Sequence, residues 1–319
     1  MKATAVAHPI QGIVKYHGLR DDELRIPYHD SVSVCTAPSH TRTTVEFGHD
    51  DDSFVVDGEE LVDGVERARR VVEEVREQTG VSSGARVVSE SSFPSNVGLG
   101  ASSSGFAALA YAALEAAGGD TSTRNASAVA RRGATSAARS VAGGFARLRT
   151  SDDEARCYAE RLDDGFGDEL RTVVGLVPEH KHTARAHEEA AESHMFGARL
   201  AHVHSALAES ERAIADGDLG ATFSLAESDS LSLLATTMTG PSNWFYWKPE
   251  TVALLELARD MREDGLPVYF STDTGATAYL NTTAEHAERV ADAVEALGVE
   301  SRVWEVGGPA REDDEHLFP

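Results

Sequence analysis

The sequence predicts an α+β protein built as two packed lobes, and three observations carry that prediction. Short β-rich runs and stretches of helical period interleave along the chain. No internal repeat and no low-complexity linker interrupts them. With 319 residues, 41% of them apolar, the chain can bury one large core or two lobes in intimate contact. The division is expected near Asp163–Thr172, giving an N-terminal lobe over 1–165 and a C-terminal lobe over 166–319.

Strands are expected over Thr4–Ala7, Thr41–Phe47, Ala85–Ser91, Arg171–Val177, Val268–Ser271, Thr277–Asn281 and Arg302–Val306. Leu61, Val65, Ala68, Val72 and Val75 form one apolar stripe with Glu and Arg opposite, the mark of an amphipathic helix. Phe106–Ala117 is apolar almost all round and meets Gly118-Gly119, a natural C-terminal stop. Thr123–Ala138, Arg185–Asp216, Pro249–Asp264 and Ala284–Leu297 complete the helices. The last has Thr282-Thr283 as its expected cap and Gly298 as its end.

Composition narrows the function. The 53 acidic residues outnumber 29 basic ones, a net charge of −24 spread in short clusters such as Asp50-Asp51-Asp52. That field repels phosphate backbones and anionic lipid, which argues against nucleic-acid or membrane partners and points to adaptation to high salt. Two cysteines, Cys35 and Cys157, support neither a disulfide framework nor a thiolate metal site. The start lacks a long apolar segment and no stretch approaches a membrane span, so a cytoplasmic location is expected. The oligomeric state stays open, a homodimer included.

The most informative segment is Phe93-Pro-Ser-Asn-Val-Gly-Leu-Gly-Ala-Ser-Ser-Ser-Gly-Phe106. A strand ending near Ser91 enters a loop holding Gly98, Gly100 and three serines, and the apolar helix is expected from Phe106. Glycines permit close backbone approach, and a helix start offers free N–H groups to phosphate. Alone, such a loop is most simply a serine-capped turn. It carries neither a Gly-Lys-Ser/Thr phosphate loop nor a GxGxxG fingerprint.

Taken with three further segments, it resembles the ATP loop of the GHMP kinase superfamily in its diphosphomevalonate decarboxylase form. Lys15-Tyr16-His17-Gly18-Leu19-Arg20-Asp21, followed by Ile26-Pro27 and Ser31-Val-Ser33-Val, is similar to that family's opening Lys-Tyr-Trp-Gly-Lys-Arg-Asp stretch. Ser136-Ala-Ala-Arg139-Ser140-Val-Ala-Gly143-Gly144 resembles its Ser-x-x-Arg-Ser-x-x-Gly-Gly segment. Ser271-Thr-Asp273-Thr-Gly275 resembles its Asp-Ala-Gly-Pro-Asn segment, here without the Pro-Asn. The four matches stand in order from Lys15 to Asp273.

The resemblance implies a GHMP fold, with ATP and Mg²⁺ as cofactors and a small phosphorylated 3-hydroxy-3-methyl acid as substrate. It places Gly98, Gly100, Ser102, Ser103, Ser104 and Gly105 on the nucleotide, with Ser102 also on the metal, since Ala101 stands where the family usually has serine. It implies catalytic roles for Asp273, Lys15 and Arg139, the arginine gripping the substrate carboxylate. Tyr16, Ser136, Lys181, His182, Thr183 and Arg185 are the implied remaining substrate contacts. Leu19 stands where the family places a lysine on the substrate's phosphoryl end. Losing one cation suits mevalonate 5-phosphate better than the 5-diphosphate, as in archaeal phosphomevalonate decarboxylases. The alternatives are a diphosphomevalonate decarboxylase, a small-molecule kinase such as a mevalonate 3-kinase, and a non-catalytic ATP-binding protein.

His180, His182, His187, His194, His202 and His204 lack metal-ligand spacing, and most are expected at the surface. Asn125-Ala-Ser127 and Asn281-Thr-Thr283 are read as chance glycosylation matches. The aromatics of Gly240–Glu250 are expected to pack.

Overall fold

The computed structural model describes residues 1–93, 99–178 and 187–319. Its strands, in chain order, begin with β1 (Lys2–Ala7), β2 (Ile10–Val14), β3 (Leu19–Asp21), β4 (Ile26–Pro27), β5 (Ser31–Ala37), β6 (Thr41–His49), β7 (Ser53–Val56) and β8 (Glu59–Glu60). They continue with β9 (Gly84–Ser91), β10 (Phe145–Leu148), β11 (Ala159–Arg161), β12 (Leu170–Leu176), β13 (Tyr269–Thr272), β14 (Ala278–Thr283), β15 (Glu300–Val306) and β16 (Arg311–Glu312).

One sheet runs β16-β1-β6-β9-β7-β8, antiparallel except where β7 meets β9. Helices α1 (Val65–Thr79), α2 (Ala101–Ala117), α3 (Thr123–Gly133) and α4 (Ala137–Ala142) share its core. α2 is rich in alanine and buried nearly all round, so it can lie between the sheet and the other helices. A second sheet runs β11-β10-β5-β15-β12-β14-β13, with β2 added on β5. It is packed by α5 (Phe196–Ala215), α6 (Leu219–Met238), α7 (Pro249–Glu263) and α8 (Ala287–Ala296).

The expected division at 165/166 falls between β11 and β12, and two pairings cross it. β15 pairs with β5 through Glu305↔Ala37, and β16 returns to pair with β1. Between them Gly143 fixes the close approach of α4 to the C-terminal segment. Its φ is +69°, and a Cβ there would lie 2.2 Å from the Pro309 nitrogen and 2.4 Å from the Gly308 carbonyl carbon. Backbone cannot yield as a flexible side chain can.

Several elements differ from expectation, each for a local reason. The helix expected from Phe106 begins at Ala101, because Ser102–Gly105 form its first turn behind Gly100. Thr123–Ala138 is broken, since Ala134 is extended (φ −155°, ψ 132°) and separates α3 from α4. Within the described part of Arg185–Asp216, a short 3₁₀ turn (Ala190–Glu192) interrupts the run and the long helix starts only at Phe196. Thr282 and Thr283 do not cap α8; they finish β14, paired with Arg171 and Leu170. The strands β2, β5 and β10 and the helix α6 were not expected at all.

Gly143→Ala is therefore expected to lower the unfolding free energy by about 3 kcal/mol, combining left-handed strain with overpacking. Urea unfolding checks it, and a midpoint equal to that of the unmodified protein rules out the tight crossing as a stability determinant.

Candidate active site

A cavity of 780 Å³ opens between the two sheets' helices and gathers residues far apart in sequence. Lys15, Tyr16, Ser136, Arg139 and Asp273 all line it, as do Gly100, Ser102 and Ser103 at the start of α2.

Gly12 on β2 explains how Asp273 enters. The Gly12 N–H donates to Asp273 Oδ1 at 3.1 Å. A Cβ at Gly12 would stand 2.9 Å from that oxygen and 2.5 Å from Lys15 Cγ, so only glycine lets the lysine and the aspartate converge here.

Lys15 is buried, at the end of β2, and its ammonium donates to Ser230 Oγ at 3.1 Å and to the Ala226 carbonyl at 3.4 Å, both on α6. Asp229 Oδ2 lies 3.7 Å from the ammonium and accepts the Lys15 backbone N–H at 2.9 Å. Desolvation lowers the Lys15 ammonium from its ordinary value, while Asp229 and then Asp273 oppose the fall. Burial alone would raise Asp229, yet Arg199, His202 and Lys15 together hold its carboxyl below the usual carboxylate range.

Arg139 on α4 is buried, and its guanidinium donates to Ser33 Oγ at 3.0 Å and to Ser31 Oγ. Ser31 and Ser33 alternate on β5, so a two-residue spacing puts both hydroxyls on one face. The guanidinium carbon lies 5.6 Å from the Tyr16 ring centroid. Desolvation lowers Arg139 to about 10, against the opposing influence of Tyr16 and Asp273, so it remains a cation at neutral pH.

Tyr16 stacks on His187, with ring centroids 4.4 Å apart and planes 11° apart. His187 is buried in the cavity wall, which corrects the expectation of a surface residue for that histidine. Burial, then the charges of His17, Arg25 and other cations, drives it well below its ordinary value, so it stands neutral. His202 departs from that expectation too, lying 3.6 Å from Asp229. His194 and His204 are exposed.

The serine loop divides. The Ser102 side chain is exposed and lines the cavity. Ser103 is buried, its hydroxyl donating to the Gly100 carbonyl at 2.6 Å and accepting the Ile10 N–H at 3.2 Å. Ser104 is turned away, 2.7 Å from Thr41 Oγ1, and neither it nor Gly105 lines the cavity. Gly98, Lys181, His182, Thr183 and Arg185 lie outside the described residues. Gly100 caps α2 with φ +77° and no side-chain acceptor, so the cap leaves first-turn N–H groups beside the Ser102 hydroxyl. That start suits a triphosphate, and one hydroxyl together with phosphate oxygens suits Mg²⁺. Among the described residues no cluster of three or more His, Cys, Asp or Glu forms a metal cage.

Comparisons with known proteins identify the family. The phosphomevalonate decarboxylase of Haloferax volcanii is 55% identical over 324 residues, with 100% of each chain covered. This chain belongs to the diphosphomevalonate decarboxylase-like family. The family model for the diphosphomevalonate decarboxylase-like N-terminal domain matches residues 7–159. The mevalonate diphosphate decarboxylase of Staphylococcus aureus superposes with a TM-score of 0.93 at 26% identity, covering 98% of both chains. A solved complex with MVAPP, AMPPCP and magnesium superposes at 0.91 with 25% identity and 99% coverage of each. The fold is that of the GHMP kinases.

Sequence reasoning missed several residues of this cavity. Gly12, Arg25, Arg67, His187 and Thr274 also line the cavity, and Asp229 and Arg199 brace it from behind. Ser31 and Ser33 stood inside the opening motif segment, but the strand that carries them was not expected. Among the described residues no helix is long and apolar enough to cross a membrane.

The buried neutral histidines predict acid sensitivity. Burial and then the Arg199 charge lower His29 to about 4, below an unfolded value near 6.5. The unfolded chain binds the extra proton first, so stability is lost as pH falls from about 6.5 towards 4, by up to about 3 kcal/mol. His29→Asn is expected to flatten the fall in urea midpoint between pH 7 and 5. The comparison at each pH cancels the opposing relief of acidic repulsion, and parallel curves for both proteins would remove His29 as the cause.

Proposed function

We propose that this chain catalyses the ATP-dependent decarboxylation of mevalonate 5-phosphate to isopentenyl phosphate, releasing ADP, phosphate and CO2. The observation that carries the monophosphate reading is the full-length 55% identity to a phosphomevalonate decarboxylase, against 26% to the S. aureus diphosphate enzyme. Leu19 supports it. It is half-buried on β3 and is not among the residues lining the cavity, so no lysine acts from that position.

The geometry supports a division of labour. ATP supplies the phosphoryl group that makes a tertiary hydroxyl a leaving group, and Mg²⁺ offsets charge on its phosphates. The start of α2 and the Ser102 hydroxyl bind the triphosphate and the metal at the cavity wall. Asp273, anchored by the Gly12 N–H, orients the 3-hydroxyl and accepts its proton. Lys15 keeps Asp273 ionised and stabilises negative charge beside it. Arg139, preset by Ser31 and Ser33, grips the carboxylate so that the bond to CO2 breaks in line with the departing oxygen. Tyr16 and His187 close the wall on the substrate's other side.

The direct test offers mevalonate, its 5-phosphate and its 5-diphosphate separately with ATP and Mg²⁺, and reads CO2 and product mass. Preference for the 5-diphosphate by kcat/KM would replace this reading with the diphosphate one, and ADP without CO2 would leave a kinase. Asp273→Asn should lower kcat by about three orders of magnitude or more while nucleotide binding survives. Near-normal kcat in the folded variant would take Asp273 out of the mechanism. Arg139→Lys keeps the charge but loses the planar fork, so CO2 release should fall by about tenfold or more with nucleotide affinity retained. Normal CO2 release would mean the carboxylate is held elsewhere.

A further inference from the structure

His187 carries a hydrogen-bonding edge that the chemistry above leaves unused. The ring is 5% exposed and forms part of the cavity wall. Its Nδ1 accepts the Gly18 N–H at 3.4 Å, which occupies that lone pair and leaves the proton of a neutral imidazole on Nε2. The ring is neutral because it is buried and because His17, Arg25, Arg199 and Arg139 stand around it. Tyr16 covers one face, stacked 4.4 Å away, and His17 meets the ring edge-on at 5.7 Å. Among the described residues the ring makes no other hydrogen bond or ion pair. With Nδ1 and one face taken, the Nε2–H edge is what the ring offers to the cavity.

The surrounding chain holds this ring in place from two sides. Gly18 has φ +81°, and a Cβ there would lie 3.0 Å from the Tyr28 ring and 3.2 Å from Ala190 Cβ, so glycine lets its N–H approach the segment that carries His187. On the other side the Glu189 carboxylate accepts from the Ser242 N–H at 2.9 Å and from the Ser242 hydroxyl at 2.5 Å. Ser193 Oγ lies 2.6 Å from Thr239 Oγ1. These bonds fasten the turn to the residues that follow α6. A buried donor without an acceptor costs free energy, and a bound acceptor removes that cost.

We infer that His187 is a specificity-determining residue whose Nε2–H donates to an anionic oxygen of the bound small acid. The inference rests on the function proposed above. A neutral donor suits this wall. Arg139 already supplies a cation beside Tyr16, and one more charge next to it would be repelled in the empty site. The imidazole adds direction without adding charge, and a charged acceptor strengthens the bond it makes. Such a donor also discriminates, because an analogue with no oxygen at that point leaves it buried and unpaired. A carboxylate oxygen and a phosphate oxygen present the same acceptor chemistry, and the test separates them.

The test titrates mevalonate, mevalonate 5-phosphate and ATP separately into the unmodified enzyme, His187→Leu and His187→Gln, by calorimetry at fixed ionic strength. His187→Leu fills similar space without a donor and should weaken 5-phosphate binding by about tenfold or more, equivalent to ~1.4 kcal/mol, with ATP affinity within about twofold. His187→Gln carries an amide N–H near the Nε2 position and should recover most of the loss, although it breaks the Tyr16 stack just as leucine does. Should His187→Leu fail to fold by thermal unfolding, His187→Asn, whose amide ends short of that position, takes its place. An equal loss with mevalonate assigns the donor to the carboxylate, and a loss confined to the 5-phosphate assigns it to the phosphate. Nitrogen-15 spectra of the unmodified enzyme, with His187 identified by its missing signals in the glutamine variant, should show the proton on Nε2 and a shift of Nε2 when substrate binds. Unchanged affinity in the donorless variant overturns the inference, as do equal losses for leucine and glutamine or a proton on Nδ1. If the unmodified enzyme ignores the 5-phosphate and processes the 5-diphosphate, the proposed function fails on its own. The same variants titrated with the 5-diphosphate then decide the donor: a loss that glutamine recovers upholds it and unchanged binding sinks it.

Discussion

Asp229 has no side-chain exposure, and a carboxylate so placed is tolerated only where cations reach it. Arg199 on α5 answers at 3.2 Å and Lys15 at 3.7 Å. The same groups also hold the main chain. Asp229 takes the Lys15 N–H at 2.9 Å, and Arg199 donates to the Lys15 carbonyl at 2.6 Å. Both polar faces of the Lys15 backbone are thus fixed, and the side chain leaves β2 in one direction. Removing one partner from such a buried set costs about 3–5 kcal/mol, so the network constrains geometry far more than surface pairs worth 0–1 kcal/mol do.

This arrangement resolves the tension between an acidic protein and anionic substrates. The net charge of −24 belongs to the surface, and salt screens it within about 3 Å at 1 M. Lys15, Arg25, Arg67 and Arg139 stand instead on one cavity wall, where burial protects them from that screening. Burial lowers Lys15, Arg67 and Arg139. The fold holds them in place by hydroxyls, aromatic faces and Asp229 rather than by matching each with an acid.

The four motif segments were legible because each joins a chemical residue to glycine or serine at fixed offsets, and the chain does bring Lys15, Arg139, Ser102 and Asp273 to one cavity. Amphipathic α1 was legible through its stripe. What escaped is what periodicity cannot mark. β5 is buried at all seven positions, so its Ser-Val alternation marks no solvent-facing side. α6 mixes serine and threonine among its apolar residues and shows no polar face. Asp229 and Arg199 read as ordinary helix charges until packing buries them. His187 looked like one of a run of surface histidines, because nothing in its spacing tells that Tyr16 will stack on it.

The distance in sequence between Gly12 and Asp273 shows what the sheet contributes. Gln11 Nε2 donates to Ser271 Oγ at 2.7 Å, fully buried, one residue before Gly12 on β2 and two residues before Asp273, which follows β13. Ser230 on α6 ties the same pair of strands together. It accepts from the Lys15 ammonium at 3.1 Å and from the Thr272 N–H at 3.1 Å, and it donates to Ala226 O at 2.6 Å. A hydroxyl can fill all three roles only if its own direction is set, and the helix carbonyl sets it. Lys15 and Asp273 therefore answer to one reference point on α6, with their separation carried by buried bonds on both sides. Under the mechanism proposed above, fixing that separation keeps Asp273 in place towards the alcohol, and misplacement by about 1 Å can cost two orders of magnitude in rate.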